Sequence, residues 1–251
     1  MNLVVITAFG VGGATVVGAL IGFCFKSIPH KWNDAVLGFA AGIMLAAAIL
    51  GLIMPSVEAV GKSGLWITAL GILAGALFLN IVDKLTPHLH NLTGVREEEH
   101  KNNPSLNRIM LFVFAIAIHN FPEGLAAGVG FGTGDIGNAI TVAIGIALQN
   151  IPEGMVIISP MILSGVSKKR TFLIALGTGL IEVAGTFIGY FAATISSAVL
   201  PFALAFAGGT MIYVISDEMI PETHSHGYES MATYSLLIGF IVMLYMDVLI
   251  G

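Results

Sequence analysis

The chain has 251 residues and a formal net charge of −5; 56% of its residues are hydrophobic and only 10% charged. Water-soluble domains carry about 25% charged residues, so this composition cannot cover a soluble globule, and it excludes the basic surface of a nucleic-acid binder. The single Cys24, set in an apolar run, excludes a disulfide framework and a thiolate metal cluster.

In chain order, no Lys or Arg precedes Lys26. A cleavable signal peptide opens with positive charge, so the first apolar run reads as a retained spanning helix. A span needs about 20 mostly apolar residues. Eight runs qualify, at 3–25, 34–54, 64–82, 106–130, 136–164, 171–197, 200–219 and 232–250. They are too long and too continuously apolar for the alternating strands of a membrane barrel. The 31 glycines suit close helix packing in lipid. The expectation is an all-α integral membrane protein of eight transmembrane helices, one domain over 1–251, with the polar segment 86–105 as a flexible loop. His88, His90 and His100 in that segment read as solvated.

Nine of the ten basic residues fall in the loops after spans one, three and five: Lys26 and Lys31; Lys84, Arg96, Lys101 and Arg108; Lys168, Lys169 and Arg170. Only Lys62 lies on the other side. Positive charge marks the cytoplasmic face, which puts both termini outside. The loop after span seven is then cytoplasmic too, and it carries Asp217, Glu218, Glu222, His224, His226 and Glu229. FAAGIM (39–44) in span two recurs as FAGGTM (206–211) in span seven, and each run leads to a proline, Pro55 or Pro221. On this topology the two copies run in opposite directions, which suggests an inverted repeat with a site at the repeat interface.

A second pair of matched segments carries the chemistry. Residues 119–124 read HNFPEG and residues 149–154 read QNIPEG. On a helix, His119, Asn120 and Glu123 share one face, as do Gln149, Asn150 and Glu153. Pro122 and Pro152 each free a backbone carbonyl one turn earlier, while Gly124 and Gly154 allow a neighbour to approach. Span six adds Glu182. Apart from Arg108 at the start of span four, no Lys or Arg lies within spans four to six, and an ionised carboxylate at mid-bilayer costs about 2.5–3.5 kcal/mol on insertion scales. Protons or a bound cation must neutralise the three glutamates. Taken alone, Glu182 reads equally as a protonated hydrogen-bonding group and His119 as a structural one; the duplication favours a site. Carboxylates with an imidazole and amide oxygens suit Zn²⁺, Fe²⁺ or Mn²⁺, and Cd²⁺ accepts the same ligands. His224 and His226 read as weak metal contacts or as solvated side chains, and Met44 as core packing.

The paired hexamers, Glu182 and the eight spans together resemble the Zrt/Irt-like (ZIP) divalent metal transporters, most nearly their prokaryotic, GufA-like branch. The resemblance covers essentially the whole chain. It implies a 3+2+3 helix bundle in the cytoplasmic (inner) membrane. It implies movement of metal into the cytoplasm through a binuclear centre between helices four and five. By position, His119, Glu123, Gln149 and Glu153 resemble the first metal site, with Met44 as a soft ligand. Asn120, Glu123, Asn150, Glu153 and Glu182 resemble the second, where some members have Asp in place of Asn150. Asp217, Glu218, Glu222, His224 and His226 resemble the cytoplasmic exit route, with Asp247 as a further path residue. The metal is substrate; no organic cofactor, nucleic acid or enzymatic activity is expected. The bilayer is the partner, and a homodimer is an open arrangement. Competing readings are an intramembrane metal-dependent hydrolase, for which no HExxH is present, and a proton-driven exporter.

Overall fold

The computed structural model describes residues 2–25, 28–92, 118–163, 165–195 and 198–250. They form helices α1 (Asn2–Gly22), α2 (His30–Ala46), α3 (Met54–Leu92), α4 (residues 118–130), α5 (Ile136–Leu163), α6 (Lys168–Ile195), α7 (Leu200–Val214), α8 (Ile220–Thr223) and α9 (Glu229–Ile250). Six described helical stretches are long and apolar enough to cross a membrane. Leu70, Leu73 and Leu77 on α3, Leu180, Ile188 and Phe191 on α6, and Leu237, Ile241 and Val248 on α9 are exposed. An apolar belt of this size suits lipid and not water, and the protein is a multi-pass helical membrane protein.

The prolines of the hexamers do not end their helices. Helices α4 and α5 run unbroken through Pro122 and Pro152. The departures lie instead before Pro55 and Pro221. Between α2 and α3 the chain passes through a π-helical segment, Ala47–Ile53, and between α7 and α8 through another, Ile215–Met219. Gly61 (φ 59, ψ −170) then breaks α3, separating the expected spans two and three. That backbone conformation is open to glycine and strained for other residues. Helix α3 continues to Leu92, so 86–92 is helical where a loop was expected. The rest of that loop, including His100, and residues 106–117 of span four lie outside the described residues.

The packing repeats. A Cβ added at Gly42 would lie 1.9 Å from the carbonyl oxygen of Leu236, and one at Gly239 would lie 2.1 Å from that of Phe39, where α2 crosses α9. The same pair of contacts joins α7 to α3: Gly209 on Ile72 at 2.3 Å and Gly75 on Phe206 at 2.2 Å. The repeat extends to the other helices. Helix α1 meets α5 at Gly18 against Ile151, Gly22 against Met155 and Gly154 against Thr15. Helix α6 meets α4 at Gly185 against Phe121, Gly189 against Leu125 and Gly124 against Glu182. Each α1 residue stands 167 positions before its α6 counterpart, the spacing that also separates Phe39 from Phe206. Gly12 and Gly179, again 167 apart, touch each other where α1 and α6 cross. Gly12 also nears Val183 and Gly179 nears Val16, so these two helices run antiparallel.

The buried apolar side chains gather in one main cluster. It includes Val11, Met44, Ala47, Ala126, Ala127, Val142, Ile146, Leu204, Met211 and Met243.

Candidate metal site

Glycine contacts set the register of the polar side chains. Gly124 follows Glu123 and lies on the backbone of Glu182; Gly154 follows Glu153 and lies on the backbone of Thr15. The two hexamers are thereby pressed against α6 and α1. Glu182 is fully buried and takes three donors on its carboxylate. Thr15 Oγ1 donates to Oε1 at 2.5 Å, Asn120 Nδ2 to Oε1 at 2.5 Å, and Asn150 Nδ2 to Oε2 at 2.5 Å. Asn150 Nδ2 also reaches the carbonyl of Val11 at 3.3 Å. Gln149 Nε2 donates to Glu123 Oε1 at 2.8 Å.

A carboxylate only accepts, so each amide must turn its NH₂ toward the glutamate and its oxygen away. Of the buried side-chain oxygens without a hydrogen-bond partner among the described residues, four belong to the hexamers: Asn120 Oδ1, Glu123 Oε2, Gln149 Oε1 and Asn150 Oδ1. Buried polar atoms are normally paired. Four orphan acceptors on two neighbouring helices form a lining that suits a cation. His, Cys, Asp and Glu alone do not do this: among the described residues no three of them converge closely enough to hold a metal. The amides make the difference.

His119 and Glu153 open onto a cavity of about 390 Å³, lined also by Val156, Asp217, Glu218, Pro221 and Glu222. His119 Nε2 contacts Glu218 Oε1, which joins α4 to the π-helical segment after α7. The exit-route set therefore divides. Its three acids share the cavity with His119 and Glu153. Its two histidines do not line it. His224 bonds the carbonyl of Ile220 at 2.8 Å, and Thr223 and Thr233; His226 Nδ1 meets Asp34 Oδ1 at 3.0 Å and its ring stacks on His30. Asp247 lines a different cavity of about 520 Å³, with Glu58, Asp135 and Asn138. Met44, fully buried, belongs to the apolar cluster and does not line the His119 cavity.

Sequence reasoning missed Thr15, and missed that Glu218 touches His119. A signal for Thr15 was present: the spacing of FAAGIM and FAGGTM, carried back one helix, pairs Thr15 with Glu182. For the Glu218 contact no sequence signal pointed to α4.

Comparison with known proteins gives the same direction. The chain is 39% identical over 246 residues to the zinc transporter GufA of Myxococcus xanthus, covering 96% of each. It is 38% identical over 244 residues to the zinc transporter ZIPB of Bordetella bronchiseptica, covering 95% of this chain and 78% of that one. It is 32% identical over 243 residues to the zinc transporter ZupT of Streptococcus mutans, covering 92% of this chain. The pattern of the family described as "ZIP Zinc transporter" matches residues 90–247. That stretch contains both hexamers, Glu182 and the cavity acids, so the features that build the site are the features the match covers: the chain belongs to the ZIP zinc transporter family.

Proposed function

We propose that this protein carries Zn²⁺, and with it Fe²⁺, Mn²⁺ or Cd²⁺, across the cytoplasmic (inner) membrane into the cell through a binuclear site between α4 and α5. The observation that carries the reading is the set of four buried, unpartnered oxygens on Asn120, Glu123, Gln149 and Asn150, beside a cavity that reaches His119 and Glu153. The first ion is held by His119, Glu123, Gln149 and Glu153, and Met44 would join as a soft ligand only on leaving the apolar cluster that buries it. The second is held by Asn120, Glu123, Asn150 and Glu153, with Glu182 supplying the third negative charge. Three carboxylates against two divalent ions leave a small positive excess, which favours release over permanent occupancy.

The two cavities are compatible with inward movement. Asp217, Glu218 and Glu222 lie on the side that the Lys and Arg distribution makes cytoplasmic, and they share the site's cavity. Asp247 and Glu58 line the opposite cavity, which serves as the outer vestibule. The recurrence of glycine contacts at a spacing of 167 supports an inverted repeat within one eight-helix domain, 1–251, of 3+2+3 plan with both termini outside. A homodimer is compatible with the exposed apolar faces.

The test is uptake by proteoliposomes with Zn²⁺, Fe²⁺, Mn²⁺ and Cd²⁺ in competition, together with metal stoichiometry of the purified protein. Two bound ions per chain and saturable uptake support the proposal. Metal-dependent peptide or lipid hydrolysis without uptake would instead favour an intramembrane hydrolase.

A further inference from the structure

The internal repeat pairs Glu182 with Thr15. Both positions are gripped in the same way, by Gly124 against the Glu182 carbonyl at 2.2 Å and by Gly154 against the Thr15 carbonyl at 2.1 Å. Yet one position carries an acid and the other a hydroxyl, and the two side chains bond each other across the α1–α6 crossing at 2.5 Å. Two carboxylates facing each other there would repel. One carboxylate facing a donor is held.

We propose that Thr15 is a positioning residue for the second metal ion: its hydroxyl, fixed by the backbone contact of Gly154, sets the orientation of the Glu182 carboxylate and through it the direction of both site amides. The chain of contacts is short and buried. Thr15 is 1% exposed and Glu182 fully buried. Asn120 and Asn150, one from each hexamer, place one N–H apiece on the two Glu182 oxygens. Each amide has a single oxygen, and both oxygens are buried without a partner. The side of the amide that faces an ion is therefore decided by where Glu182 points. Thr15 is the donor to Glu182 that comes from outside the hexamers, so it fixes the carboxylate without competing for the ion. Groups of this kind, one step removed from the metal, typically change metal affinity by about 10–100-fold when lost.

This inference rests on the binuclear reading, and the experiment separates the two. Full-length protein in detergent is titrated with Zn²⁺ for wild type, Thr15→Val, Thr15→Ser, Thr15→Ala and Glu182→Gln, and each is assayed for uptake. Thr15→Val keeps the shape and removes the donor; Thr15→Ala covers the case in which the valine variant misfolds. The expected result is second-ion affinity about 10–100-fold weaker in Thr15→Val and Thr15→Ala, first-ion affinity within about threefold of wild type, and recovery in Thr15→Ser. If Glu182→Gln weakens the second ion and Thr15→Val does not, the role of Thr15 is refuted and the binuclear site stands. If Thr15→Val weakens both ions equally, or serine fails to restore binding, Thr15 is only a packing residue and the inference falls. If no variant alters a second binding event because wild type shows only one, both readings fall together.

Discussion

Replacing Gly124 by alanine adds one methyl group at the point where α4 lies on α6. That Cβ would stand 2.2 Å from the carbonyl oxygen of Glu182 and 2.8 Å from its carbonyl carbon. Ordinary contact begins near about 3.5 Å, so the helices must part by roughly 1.3 Å or the backbone must bend. Both neighbours are main chain, with no flexible side chain to yield. Overpacking of this kind costs about 1–3 kcal/mol. The functional cost is larger, because Glu123 precedes Gly124 and Glu182 is the residue it would push. Sites of this type tolerate displacements of about 0.5 Å. Gly154→Ala repeats the perturbation against Thr15 at 2.1 Å. Gly13→Ala and Gly177→Ala, on the facing helices α1 and α6 with nothing within 4 Å, are the controls. The expectation is a lowered melting temperature in detergent and at least a tenfold loss of Zn²⁺ uptake for the first two, with the controls unchanged or slightly stabilised. Wild-type melting and uptake in both Gly124→Ala and Gly154→Ala would show that the close approach does not set the site.

Glu123→Ala and Glu153→Ala each remove charge shared by both ions, and each abolishes uptake in liposomes while the folded protein remains extractable; near-normal uptake by either would sink the shared-site arrangement. His119→Ala weakens the first ion, where it is the sole imidazole, whereas Glu218→Gln frees His119 Nε2 and tightens that ion while slowing release; calorimetry paired with efflux rates reads both. Cysteine placed at Asp217 or Asn102 is labelled by an impermeant reagent only from the cytoplasmic side and cysteine at Glu58 only from outside; the reverse pattern overturns the orientation.

The hexamers were legible because their chemistry is local. A buried acid three residues after an amide, repeated 30 positions on, needs no tertiary knowledge to look like a ligand set. The helical class was legible for the same reason, since continuous apolar runs of span length leave few alternatives. Pro122 and Pro152 sit inside unbroken helices, while the π-helical segments arise at Ala47–Ile53 and Ile215–Met219, where α2 and α7 accommodate an extra residue before Pro55 and Pro221. Nothing in a one-dimensional pattern distinguishes those two outcomes. Thr15 shows only when the spacing of FAAGIM and FAGGTM is carried back to α1. A threonine in an apolar helix is unremarkable until the partner 167 residues away is known. The division of the exit set was likewise hidden, because Glu222, His224 and His226 are sequence neighbours but face the cavity, α9 and α2 respectively.

Asn150 is where charge and hydrogen bonding pull in opposite directions, and Asn150→Asp separates them. In the structure its Nδ2 donates to Glu182 Oε2 at 2.5 Å and to the Val11 carbonyl at 3.3 Å. An aspartate donates to neither. Without metal it would set a second carboxylate against Glu182 and leave the Val11 carbonyl without this donor. The loss of a buried hydrogen bond to a charged group costs about 1.5–3 kcal/mol, and repulsion adds to it. With metal the balance reverses: the site gains a fourth negative charge against four positive ones, and an anionic oxygen replaces a neutral amide oxygen. Each tenfold gain in affinity adds about 1.4 kcal/mol of stabilisation at saturating ion. The substitution should therefore lower the melting temperature of chelator-treated protein and widen the increase on adding Zn²⁺. It should also strengthen the second binding event and slow turnover, because a neutral centre releases its ions less readily. Equal shifts of melting temperature with and without metal would mean that residue 150 only packs against Glu182, and the second ion would then have to be sought elsewhere among the orphan oxygens.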